Sequence, residues 1–238
     1  MGWQLNHLQP GNIAKISCPW RYSNFKKSIP DMTNASSDSA MHHHLRQATK
    51  QPHHVLDHHP MLAPLLRADL TQTQYGNALA ALHGIQQRAE DGILAFLDQH
   101  PGLFDYQSRR KVWAINADLA ALGREPMEMA AHFPVPQSIG ALIGVLYAIE
   151  GSTQGGLMIA RLLQALPIAP LPIAYFSVYG AASAQRWAEF LQFANSYQSS
   201  EAFDEAAATA ISAFDAIHGH MQACWHQMDT SVSASESA

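Results

Sequence analysis

Apolar residues recur along this chain in steps of three and four, the spacing of helices that bury one face. From Thr71 onward, Tyr75, Leu79, Leu82, Ile85, Ala89, Ile93 and Phe96 form one such stripe, and Pro101 with Gly102 ends it. The stretch Asp105 to Leu122 reads as a second helix closed by Gly123. Ile139, Leu142, Ile143, Leu146 and Ile149 make a third stripe. Pro167, Pro170 and Pro172 mark a loop, after which Ala181 to Phe193 returns to helical character. The last stripe carries Phe203, Ala207, Ile211, Phe214, Ile217, Met221 and Trp225. Its first turn holds Glu201, Asp204 and Glu205, where acids favour the helix dipole. No run alternates in the manner of strands. The pattern predicts an all-α fold, a single-domain bundle of roughly six to eight helices.

The two ends have a different texture. Pro10, Pro19, Pro30 and the polar cluster Asn34 to Ser39 break any helical period. Residues 1–40 are therefore expected to be a disordered or loosely docked extension, with the folded domain over 41–228 and a Ser-rich flexible tail over 229–238. Length agrees with this, since 238 residues suit one domain plus tails. Hydrophobic residues make up 47% and charged residues 14%, yet no apolar run reaches the length needed to span a bilayer. The longest, Ile139 to Ile149, stops at Glu150 and Gly151. A net charge of −5 with 14 Lys plus Arg excludes the basic surplus of a nucleic-acid binder. Cys18 and Cys224 lie too far apart in sequence to suggest a disulfide framework. The first residues do not read as a secretory signal, so a cytoplasmic protein is expected.

Two features carry chemistry. His53 and Asp57 are four apart and share a helix face, in a chain with 14 histidines. Either both are solvated surface residues or they form a built pair; zinc is a third reading, without a His-Glu-x-x-His or paired-Cys arrangement to support it. The second feature is Glu150-Gly151-Ser152-Thr153-Gln154-Gly155-Gly156. Each glycine inside a helix costs about 1 kcal/mol relative to alanine, so three within six residues need a reason. A helix end, close helix–helix packing, or a helix whose backbone lies against a flat ligand would each supply one. A phosphate loop lacks both the preceding strand and the following lysine.

The segment Leu45-Arg46-x-x-Thr49-x-x-x-His53-x-x-x-Asp57 resembles the proximal helix of bacterial heme oxygenases. Tyr147-Ala148-Ile149-Glu150-Gly151-Ser152-x-x-Gly155-Gly156 resembles their distal helix, bent over the heme. Between and after them, Arg109-Arg110-Lys111, Asp118-Leu119-Ala120-Ala121-Leu122-Gly123 and Tyr175-Phe176-x-x-Tyr179-Gly180 with Arg186-Trp187 are also similar, the last to heme oxygenases that accompany bacteriophytochromes. The similarity covers about residues 41–228. It implies an enzyme that cleaves heme b, at once substrate and cofactor, with O2 to biliverdin, CO and ferrous iron.

The same resemblance implies roles. His53 binds the heme iron as a neutral imidazole. Arg46 and Tyr147 meet the propionates. Gly151, Ser152 and Gly155 bring backbone over the iron, and Asp57 belongs to the proton-delivering water network, completed by Arg109 or Arg110. No flavin or nicotinamide fingerprint is present, so an external reductase or ferredoxin is the expected electron donor, and a bacteriophytochrome is an expected recipient of biliverdin. Pro52, directly before His53, removes a helical hydrogen bond and kinks the proximal helix. Alternatives on the same scaffold are a di-iron oxidase using Asp215, His218 and His220, a thiamin-degrading enzyme, or a non-catalytic heme-binding protein.

Overall fold

In the computed structural model, residues 40–128, 132–168 and 170–235 are described, with side chains through residue 228; most of the expected N-terminal extension lies outside them. Among these residues there are seven α-helices, three one-turn 3-10 helices and no strand. The proximal segment is two helices, α1 (Ala40–Ala48) and α2 (Lys50–Asp57), broken at Thr49. Pro52 explains the break. It has no N–H to give the Ala48 carbonyl four residues back, and its ring crowds that oxygen. The chain recovers at once, for the His53 N–H reaches the Thr49 carbonyl at 3.0 Å.

α3 (Gln72–Asp98) starts on a capping box, in which the Thr71 side chain accepts from the Gln74 N–H and Gln74 reaches back to the Thr71 N–H. α4 spans Val112–Leu122 and ends on Gly123, whose φ of 62° is the left-handed conformation that closes helices. It is shorter than its apolar pattern suggested. Residues 105–111 instead form a turn with a 3-10 piece at Gln107–Arg109, because Asp105 accepts from Ser108 and Glu90 of α3 accepts the Lys111 and Val112 N–H groups. A buried carboxylate thus starts α4 from outside.

α5 (Ile139–Ala165) runs through the glycine-rich stretch without ending there. α6 is Ser183–Asn195, and α7 is Ser200–Ser235, so the last helix continues past residue 228, into what reads in sequence as a flexible tail. The core is built where α5 lies along α7. Gly140 of α5 faces Ala202 and Glu205 of α7, and Gly144 faces buried Ala206 and Ala210; a Cβ on Gly144 would fall closer than 3.0 Å to the Ala206 carbonyl oxygen and the Ala210 nitrogen. α1 and α2 pack on α7, and α6 packs on α5 and α1. A second apolar cluster joins α3 and α4 to the 171–176 loop through Leu79, Ile115, Leu119 and Phe176.

Candidate functional site

The fresh start that Pro52 forces on α2 sets His53 and Asp57 on one face, one turn apart. Their side chains are 22% and 20% exposed, and Nδ1 of His53 lies 3.0 Å from Oδ2 of Asp57. A carboxylate can only accept, so the ring donates from Nδ1. Phe214 of α7 backs the ring, at 5.6 Å between centroids. Asp57, expected in a water network, also pairs through Oδ2 with the histidine on its own helix. His54, the neighbouring histidine, is exposed and stacks on His58.

Tyr147 ties α5 to this region. It is 5% exposed. Burial pushes its phenol up, opposed by a hydrogen bond with Thr49 and by the charge of Arg46. Arg46 and Tyr147, predicted to share a role, do come together. One helical turn beyond Thr49 and one beyond Tyr147 stand His53 and Gly151.

The glycines of α5 divide by what surrounds them. Gly140 and Gly144 serve the packing on α7, and a Cβ at Gly156 would meet the Phe176 carbonyl at 3.2 Å. Gly151 is buried, yet a Cβ there would meet only the Trp187 ring, at an ordinary 3.8 Å. No neighbouring backbone demands a glycine at this position. Gly155 is half-buried and Ser152 exposed. Ser152 and Thr153 donate to the Ile149 and Glu150 carbonyls, at 2.8 and 2.6 Å, instead of projecting polar groups away from the helix. Hydroxyls bonded back in this way tend to bend helices.

Behind this stretch lies a charge cluster that the sequence did not announce. Glu150 is 1% exposed and accepts from Arg109 Nη1 at 2.9 Å and from Lys111 Nζ at 2.6 Å; Tyr179 donates to it at 3.0 Å. Arg109 also reaches Glu189 of α6 at 2.8 Å and the Arg186 carbonyl at 3.0 Å. Arg110 turns instead to Glu90, at 3.1 Å. Of the two arginines between which the sequence did not choose, Arg109 is the one that reaches α5. Burial pulls the Lys111 amine down, and the Glu150 carboxylate opposes that shift. The 172–179 loop is fastened by Asp118, which accepts the Ala174 and Tyr175 N–H groups at 2.9 and 2.8 Å. Three consecutive cations and a lone Glu in an apolar run were the available signals. Their pairing needs the fold.

Among the described residues no three His, Cys, Asp or Glu side chains form a group that could hold a metal ion. His220, which a di-iron reading would need, is fully buried and donates Nε2–H to the Ala81 carbonyl at 3.0 Å. No helix among them is long and apolar enough to cross a membrane.

No family model matches the chain. Over 108 residues it is 32% identical to a heme oxygenase of Xanthomonas campestris; that stretch covers 44% of this chain and 61% of the length of the relative. The nitric oxide- and CO-bound heme oxygenase of Neisseria meningitidis superposes with a TM-score of 0.65 at 19% identity, over 78% of this chain and 92% of that one. The heme complex of heme oxygenase-1 from the cyanobacterium Synechocystis gives 0.63 at 14% identity, over 82% and 96%. The heme oxygenase of Leptospira interrogans gives 0.61 at 14%, over 76% and 98%. The fold is that of the heme oxygenases, and the sequence is related to one of them.

Proposed function

We propose that this protein is a heme oxygenase, taking heme between α2 and α5 and cleaving it with O2 and supplied electrons to biliverdin, CO and ferrous iron. The observation that carries the reading is the His53–Asp57 pair, in which Nδ1 of the imidazole lies 3.0 Å from the carboxylate and Nε2 is the atom that would bind iron. That donor set fits heme iron, because an imidazole leaves the opposite position for O2 without the strong electron push of a thiolate. When bound, heme with O2 and electrons supplies the oxidising chemistry; the protein supplies the setting.

In that setting Asp57 accepts from His53, fixing the ring and raising its basicity. Arg46 and Tyr147 hold the propionate end, the guanidinium through charge-assisted hydrogen bonds. Gly151 and Gly155 let the α5 backbone lie close over the iron, and Ser152 sits beside them. Arg109 and Lys111 neutralise Glu150 and keep α5 in place from behind. Electrons come from an external reductase or ferredoxin, and a bacteriophytochrome is the recipient of biliverdin that the sequence resemblance suggests.

The test is reconstitution with ferric heme followed by reduction under air. The Soret band of bound heme is expected to give way to biliverdin absorption. A protein that takes up heme and returns it unchanged would be a heme carrier, and the oxygenase reading would fall.

A further inference from the structure

We propose that Trp187 is a specificity-determining residue of the heme site, the wall that decides which porphyrin edge lies under Gly151 and hence which meso carbon is opened. The inference rests on the heme-oxygenase reading above. Its starting point is the environment of Gly151, where, among the described residues outside its own helix, Cζ3 and Cη2 of Trp187 are the atoms within 4 Å of a Cβ built there. The indole comes from α6 and reaches three helices. Its ring lies 6.0 Å from Tyr147 of α5, 5.7 Å and nearly perpendicular to His42 of α1, and 5.1 Å from the fully buried Phe190 of its own helix. Packed on these sides, it cannot swing aside without displacing core residues.

One guanidinium fixes the distance between this wall and Gly151. Arg109 bonds Glu150, the residue before Gly151, and Glu189, two residues after Trp187; it also bonds the carbonyl of Arg186, the residue before Trp187. Arg109 is therefore a positioning residue that sets the gap from outside it. A flat ligand lying along Gly151 must stop against the indole. With its propionates drawn toward Arg46 and Tyr147, such a ligand is held at two points of its rim, which is enough to choose one in-plane rotation.

The test uses the full chain reconstituted with ferric heme and ligated by cyanide. Hyperfine-shifted heme methyl resonances in proton NMR report the seating without turnover, and chromatography of the biliverdin isomers reports its outcome. Wild type is expected to show one dominant methyl pattern and one dominant isomer. Trp187→Ala is expected to raise a second methyl pattern and a second isomer several-fold, with Trp187→Phe between the two. Arg109→Lys is expected to broaden the distribution while His53 coordination persists. A folded Trp187→Ala protein with the wild-type methyl pattern and isomer overturns the proposal. So does one that takes up no heme, since the indole would then hold the ligand, not orient it. Should Trp187→Ala fail to fold, wild-type behaviour of Trp187→Phe in both measurements overturns it. Failure of the underlying reading looks different: His53→Ala would leave the spectrum of wild-type heme untouched.

Discussion

At the scale of single residues, the proposed heme site turns on which of two adjacent histidines would bind iron. His53 and His54 are adjacent, and sequence alone offers both. The structure separates them by partner: His53 has a carboxylate on Nδ1, whereas His54 lies exposed against His58. A spectroscopic series tests the assignment. His53→Ala should abolish the spectrum of histidine-ligated ferric heme, and His54→Ala should leave it largely intact. Asp57→Asn keeps a hydrogen-bond acceptor but removes the charge, and loss of such an outer partner costs roughly 10-fold in affinity for the metal. Heme titration should therefore rank the three variants in the order His54→Ala, Asp57→Asn, His53→Ala. The reverse order for the two histidines would shift the ligand by one residue and dissolve the role of Asp57.

At the scale of elements, α5 carries glycines with two different duties, and one substitution applied at two places tells them apart. At Gly144 a methyl meets the backbone of α7, which cannot move aside alone. Overpacking of this kind costs about 1–3 kcal/mol, so the melting temperature of apo Gly144→Ala should fall by several degrees. At Gly151 a methyl meets only the Trp187 ring at ordinary contact distance, and alanine is the better helix former by up to about 1 kcal/mol. Apo Gly151→Ala should melt at or above wild type, yet form biliverdin more slowly, because the methyl would narrow the gap between α5 and the Trp187 ring into which the proposed heme edge fits. Equal melting losses at both positions, with turnover unchanged at Gly151, would make both glycines packing devices. The apolar period of Tyr75 to Phe96 and of Phe203 to Trp225 made α3 and α7 legible in the sequence, and the i, i+4 spacing made the His53–Asp57 pair legible. Residues 105–111 were not, for they too are helical in pattern; what stops them is Glu90, about twenty residues away along the chain. The glycine run left helix end and helix equally open, because only its neighbours in the fold decide.

At the scale of the whole molecule, buried histidines tie the end of α2 to α7 and α7 to α3, and make those unions sensitive to acid. His59, just beyond α2, accepts the Met61 N–H on Nδ1 at 3.2 Å and donates from Nε2 to Gln222 of α7 at 3.3 Å. His220 of α7 donates to the Ala81 carbonyl of α3 at 3.0 Å. Burial holds the pKa of both below the ordinary histidine value of 6.5; for His59 the Gln222 bond opposes this and nearby His218 adds to it. His83 of α3 is lowered by burial in the same direction. With folded values below unfolded ones, the unfolded chain binds more protons once the pH drops to about 6.5, so stability must fall on acidification from there. Each proton taken up only by the unfolded chain contributes about 1.4 kcal/mol per pH unit to that slope. Asp118, whose carboxyl burial pushes up, has the opposite sign, since the folded state takes up its proton first as the pH falls toward the ordinary carboxylate value of 3.8. The urea midpoint of the apoprotein is therefore expected to decline as the pH falls from 7 to 5. His59→Gln should flatten that decline, since glutamine takes no proton. A midpoint that rises on acidification, or a decline equally steep in His59→Gln, would mean that other groups govern the acid stability of the bundle.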